Sequence, residues 1–221
     1  MGLDIYVGSL QRYYRGDWAT TLQAGGASVL RASPPAGDDA IGVALRHLQS
    51  ALAAVGIQDF EWALEDERPY FTDKPGWEGY SAVMLAAAYA DTATPWPQQL
   101  PPDFPSDRAY NEARAKGDAS RFRQLYFSDG WLPVELTHTI SSPNPAGTSF
   151  DWGSSPWLLE RLVELQSELQ ISDKDLEQAL GGADPGLPKQ AFDAWVRFGM
   201  AVLKPLTERS VEIRLPMVLD Y

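Results

Sequence analysis

Cysteine is absent from the 221 residues, which excludes disulfides and thiolate metal sites. Histidine occurs twice, at His47 and His138, too few for a multi-histidine metal centre within one chain. No stretch approaches the ~20 apolar residues that cross a bilayer, so no membrane association is expected. Positive charge is scarce: 18 Lys and Arg stand against 30 Asp and Glu, for a formal net charge of −12. That field repels a phosphate backbone, and no Lys/Arg run opposes it locally, so nucleic acid is not an expected partner. Short catalytic signatures are missing too. There is no phosphate-binding glycine loop, dinucleotide turn, nucleophile elbow or zinc-protease histidine pair. These absences remove most of the case for nucleotide hydrolysis, hydride transfer and zinc hydrolysis, and no cofactor or metal is expected.

What is present is a globular composition. The 44% hydrophobic fraction suffices for a sizeable core, and the length suits one elaborated domain over residues 1–221. Eight Trp and nine Tyr offer large buried areas with polar handles. Seventeen Pro point to long ordered loops. The N-terminus lacks a basic region followed by a long apolar core, so a signal peptide is not expected and a soluble, cytoplasmic protein is.

Along the chain, Leu3, Ile5 and Val7 alternate with Asp4 and Tyr6, predicting a half-buried strand. The loop at 33–39 carries a cap signal for a helix running to Gly56, with Ile41, Leu45, Leu48, Leu52 and Val55 in one stripe. "DFEWALE" at 59–65 alternates as a strand. "RPYFTDKPGW" reads as turns, and "EGYSAVMLAAAYA" as a buried helix. Residues 92–106 hold five prolines and predict an ordered loop anchored by Trp96 and Phe104. Helix is expected from Asp107 to Phe127, broken near Gly117.

A strand is then predicted with Leu132, Val134, Leu136, His138 and Ile140 on one face. Residues 141–155 read as a loop ending at Ser155 as helix cap with Pro156 following, and Leu158, Leu162, Leu165 and Leu169 as the next stripe. Ser172 caps a short helix to Gly181. A longer helix from about Pro188 is expected to stop by Pro205, and "SVEIRLPMVLDY" reads as a strand. The expected fold class is α+β: a small central sheet of about four strands including both terminal segments. Five to seven helices and long Pro/Trp-containing loops cover it.

The candidate chemistry is sparse. His47 reads as a solvated residue on its helix flank. His138 reads as a core histidine, with a general base at a strand end as the minority reading. "SDKDLE" at 172–177 fits helix capping better than calcium, because the glycine turn and distal glutamate are missing. Three turns join a carboxylate to a tryptophan: "GDW" at 16–18, "SDGW" at 128–131 and "FDWGS" at 150–154. Their plain structural reading is aromatic plugs with capping aspartates. The functional reading is a binding patch of Tyr13, Asp17, Trp18, Trp131, Asp151 and Trp152.

The stretches "LDIYVGSLQRYYRGDW", "GSSPWLLERL" and "RLPMVLDY" resemble those of uncharacterised bacterial proteins sharing such ends. The resemblance implies a bacterial cytoplasmic origin and carries no activity. Three functions then stand side by side. The first is a non-enzymatic interaction protein, most concretely an immunity protein whose acidic surface meets a basic secreted toxin. The second is a small hydrolase-like enzyme using Asp4, Tyr6, Arg12 and His138, with Arg12, Tyr13 and Asp17 on the loop after the first strand. The third is a carbohydrate-binding module, which needs coplanar exposed tryptophan rings. A small ligand and a homodimer stay open as partners.

Overall fold

The computed structural model describes residues 2–20, 35–59, 68–182 and 191–221. In chain order the elements are β1 (Asp4–Val7), α1 (Leu10–Arg15), α2 (Asp38–Ala54), β2 (Phe71–Asp73), α3 (Gly76–Thr92), α4 (Arg108–Ala115), α5 (Arg123–Phe127), β3 (Gly130–Leu132), β4 (Ile140–Pro143), β5 (Ser149–Ser154), α6 (Ser155–Glu168), α7 (Asp173–Gly182), α8 (Phe192–Glu212) and β6 (Met217–Asp220). The α+β class holds. The strand number does not: the sheet has six strands, and eight α-helices lie among the described residues. The chain divides into two compact units.

The first unit comprises Met1–Lys74, Phe127–Leu158 and Leu206–Tyr221. Its sheet runs β2-β1-β6-β3-β5-β4, all antiparallel except the parallel β3/β5 pair. The two terminal strands lie side by side, as their matching alternation suggests. β1 is buried throughout, not half-buried, because Tyr6 enters an apolar cluster on the face expected to meet water. That cluster joins Tyr6, Leu10, Tyr13 and Trp18 to the α2 stripe of Ile41, Leu45, Leu48 and Leu52, and to Trp152 and Val218. Val55 leaves the stripe, 53% exposed, because α2 ends at Ala54 and Gly56 turns the chain at φ +86°.

Several expectations fail where proline or a short element decides the outcome. The strand predicted through His138 stops at Leu132, since Pro133 has no N–H to extend a ladder. His138 therefore lies exposed in a bend and shares no strand face with aliphatic residues. The expected loop at 141–155 is a hairpin of β4 and β5. Its turn is set by the Asn144 side-chain oxygen, which accepts the N–H groups of Ala146 and Thr148, and by Gly147 at φ +81°. The helix cap is Ser154, whose Oγ accepts the Trp157 N–H at 3.2 Å, with Ser155 already helical. β2 occupies part of the segment read as turns, being too short for its alternation to register. The strand expected at 59–65 lies outside the described residues from position 60 onward.

Pro205 sits inside α8, which continues to Glu212, so Val211 is helical and the last strand begins at Met217. Proline costs an interior helix about 3 kcal/mol, and burial of Leu206, Thr207 and Ser210 beyond it offsets that.

The second unit comprises Pro75–Tyr126 and Leu159–Pro205. Residues 79–89 of α3 are buried without interruption, as the alanine-rich composition predicts. α3 meets α8 at Gly79 and Gly199, where a Cβ on Gly199 would stand 2.2 Å from the Gly79 carbonyl oxygen. Asp107 caps α4 by accepting the Tyr110 N–H and also accepts the Tyr89 hydroxyl at 2.6 Å. The helical stretch breaks at Gly117 as expected, at φ +53°. Ser172 and Asp175 form a reciprocal cap on α7. The proline-rich loop is held by edge contacts of Trp96 on Phe192 and Phe104 on Tyr110, though Trp96 stays 37% exposed.

Candidate functional site

The cluster "QRYYRGDW" is a short helix with a turn, not a loop. Ser9 caps it, its Oγ accepting the Arg12 N–H, and Gly16 ends it in the left-handed region at φ +70°. This geometry turns Tyr13 and Trp18 back onto Tyr6. The Tyr6 ring centre lies 5.3 Å from that of Tyr13 and 5.0 Å from that of Trp18, and the last two stack at 21°. Each ring is also tied by its polar end. Tyr6 donates its hydroxyl to the Ser9 carbonyl at 3.1 Å, and Trp18 its Nε1–H to the Tyr13 carbonyl at 3.3 Å. Tyr13 donates its hydroxyl to Asp220 Oδ1 at 3.0 Å.

That last bond leads to a pair of carboxylates. β1 and β6 place Asp4 directly opposite Asp220, and both are buried. Lys74 Nζ lies 3.9 Å from Asp4 Oδ2. Burial pushes the Asp4 carboxyl above the ordinary carboxylate range; Lys74 opposes this, and the charges of Asp220 and Asp73 add to it. Burial, with the Asp220 carboxylate beside it, likewise holds the Tyr13 phenol well above its usual value.

At the start of β3, Asp129 accepts the Asp151 N–H at 2.8 Å, and Asp151 accepts the Ser141 hydroxyl. Burial raises the Asp129 carboxyl as well. Trp152 packs on Phe150 and donates its Nε1–H to Ser142 Oγ at 3.0 Å.

Of the ten candidates read from the sequence, Tyr6, Tyr13, Trp18 and Trp152 converge in one buried cluster. Asp4 is linked to Tyr13 only through its neighbour Asp220. Trp131 points to the opposite sheet face, because Gly130, its neighbour, is the residue aligned with Trp152 and Val218. It is fully buried, and its Nε1–H finds no acceptor among the described residues. Arg12 donates to the Arg68 carbonyl and covers the Tyr70 ring. Asp17 and His138 are exposed. Sugar stacking requires exposed rings; Trp18 is 5% exposed, Trp131 and Trp152 not at all.

Asp220 and Lys74 escaped the sequence reading, and Asp129 entered it only as the carboxylate of the "SDGW" turn. A usable signal existed, since Asp4 and Asp220 both sit at the outer ends of the terminal strands, but only the register makes them neighbours. Among the described residues, no three His, Asp or Glu side chains are placed to hold a metal ion, and no helix is long and apolar enough to cross a membrane. No protein-family model, curated protein or solved structure matches the chain, so the likeness of its ends to bacterial proteins carries no family assignment.

Proposed function

We propose that this chain acts by binding a basic protein, with immunity against a secreted bacterial toxin as its most concrete form. The observation that carries this reading is where the acid lies. The first unit holds sixteen Asp and Glu against eight Lys and Arg; the second holds fourteen against ten. Asp17, Asp39 and Glu135 of the first unit are exposed and make no ion pair among the described residues. Unneutralised surface carboxylates speed encounter with a cationic partner and slow it with an anionic one. The aromatic residues that would otherwise suggest a ligand pocket are buried in the fold, with Tyr13, Trp18 and Trp152 each bound by its polar end.

The test is association with the products of neighbouring genes. A toxic, basic neighbour should be neutralised on co-expression. Its association rate should fall with added salt and with charge reversal at Asp17, Asp39 and Glu135. A set of neighbours that neither bind nor kill would defeat the proposal.

A second reading, carboxylate-based hydrolysis, draws on the Asp4–Asp220 pair, where burial favours a proton on Asp4. Hydrolysis of an ester or glycoside panel that Asp220→Asn abolishes, with the fold retained, would favour it.

A further inference from the structure

Among the described residues of the first unit, one cation stands apart. Arg12 is taken up by the Arg68 carbonyl, Arg15 by Asp38, Arg68 by the Ile213 carbonyl, Lys74 by Asp4, Arg209 by Glu212 and Arg214 by Asp59. Arg46 is exposed and its guanidinium has no such partner. It borders a groove of about 290 Å³ between α1 and α2. Ile41 and Leu45 form the apolar floor, and Arg15 with its partner Asp38 forms the far rim. Gly42 keeps the middle open, since a Cβ there would meet only the Arg46 Nη1, at 3.3 Å.

We propose that this groove binds a small amphipathic carboxylate, its charge on Arg46 and its hydrocarbon part on Ile41 and Leu45. The volume lies at the small end of ligand sites, which suits a few carbons beyond the carboxylate. A guanidinium with all its donors free takes a carboxylate through two parallel N–H bonds. Arg15 is held by Asp38, so the far rim is neutral as a pair and Arg46 is the charge that the ligand meets. A cationic ligand with the same tail meets Arg46 as a like charge and is rejected. The site is independent of the protein-partner reading, because it recognises the opposite charge.

The experiment is an amide chemical-shift titration of the full chain with sodium hexanoate, hexylammonium chloride and sodium acetate, at neutral pH and constant ionic strength. Hexanoate is expected to shift Ile41, Gly42 and Leu45 saturably, acetate to act more weakly, and hexylammonium to leave them in place. Arg46→Gln should weaken hexanoate about tenfold, the loss expected for a charge-assisted pair. Gly42→Leu should fill the groove and abolish the shifts. Two variants guard against a folding artefact, as Arg46 is exposed, Gly42 is only half-buried, and far-UV spectra report the helix directly. Equal shifts from hexylammonium, hexanoate binding unchanged in Arg46→Gln, acetate matching hexanoate, or no saturable shift would each overturn the site.

Discussion

The first unit packs its sheet under linked aromatic rings, whereas the second packs α3 through a run rich in alanine and a close glycine contact. In the first, Tyr6 is tied by its polar end to Ser9, Tyr13 to Asp220 and Trp152 to Ser142, while the buried Trp131 indole has no acceptor among the described residues. In the second, α3 is buried along residues 79–89 and meets α8 at Gly79 and Gly199, and Tyr80 and Tyr89 are tied as in the first unit, to the Leu125 carbonyl and to Asp107. Arg121 there pairs with Glu164 and Glu168, side chains about a third exposed. The difference lies in the main packing contact: linked rings over the sheet in the first unit, close backbone approach of α3 and α8 in the second, where the exposed ion pairs have small net worth.

The largest effect should come from removing a tied ring. Trp152→Ala should cost about 3–5 kcal/mol, read as a shifted denaturant midpoint, because it leaves a cavity and strips Ser142 of its donor. A loss no greater than that of a surface substitution would mean the cluster readily collapses around the gap.

Next is Gly199→Ala in the second unit. Helix propensity alone favours alanine by ~1 kcal/mol. The Cβ would press on the Gly79 carbonyl, its carbon 2.7 Å away, so a net loss of about 1–3 kcal/mol is expected. A gain in thermal midpoint would show that α3 and α8 can part without cost.

The pH dependence should then differ in sign between the units. In the folded state Asp4 holds its proton more tightly than in the unfolded chain. Its contribution to stability is therefore fullest in acid and is lost as pH rises from the ordinary carboxylate value through the raised one. Asp4→Asn should gain on the parent across that window. Glu168 goes the other way: its hydrogen bond from Arg121 lowers its pKa, so its stabilisation is present above the ordinary value and lost as pH falls through the lowered one. Glu168→Gln should lose ground on the parent as pH rises. Unfolding midpoints of both variants across the acid range measure this, and parallel slopes would refute the contrast.

The smallest effect expected is Arg121→Gln. Its side chain is 30% exposed, so about 1 kcal/mol or less should be lost, shrinking further in high salt. A larger, salt-insensitive loss would place this network among the buried determinants of the second unit.

Which parts of this were legible beforehand follows from the range of the interactions involved. The α2 stripe, the buried α3 and the Ser172 cap are local: spacing and composition over a dozen residues suffice to specify them. The β1/β6 pairing was legible as a suggestion because both ends alternate, but its register was not. Asp4 and Asp220 became a pair only once the sheet aligned them. β2 was invisible because three residues have no measurable period. Pro205 misled because its local cost is real, and only burial on the far side overrules it. The candidate site was legible in its residue types and not in its role, since a tyrosine or tryptophan looks the same whether its polar end meets a ligand or a buried acceptor.

By itself, then, the sequence determined the class of fold, the positions of α2 and α3, the acidic field and the chemistry that cysteine and histidine scarcity exclude. The tertiary structure alone decided that Tyr13 and Trp18 fold back over β1, that Trp131 and Trp152 face apart, and that Arg46 is left beside an open groove. The physical reason is one of distance. Propensity, capping and periodicity act within a few turns, while strand register, ring contacts and ion pairing join residues as far apart as Tyr13 and Asp220.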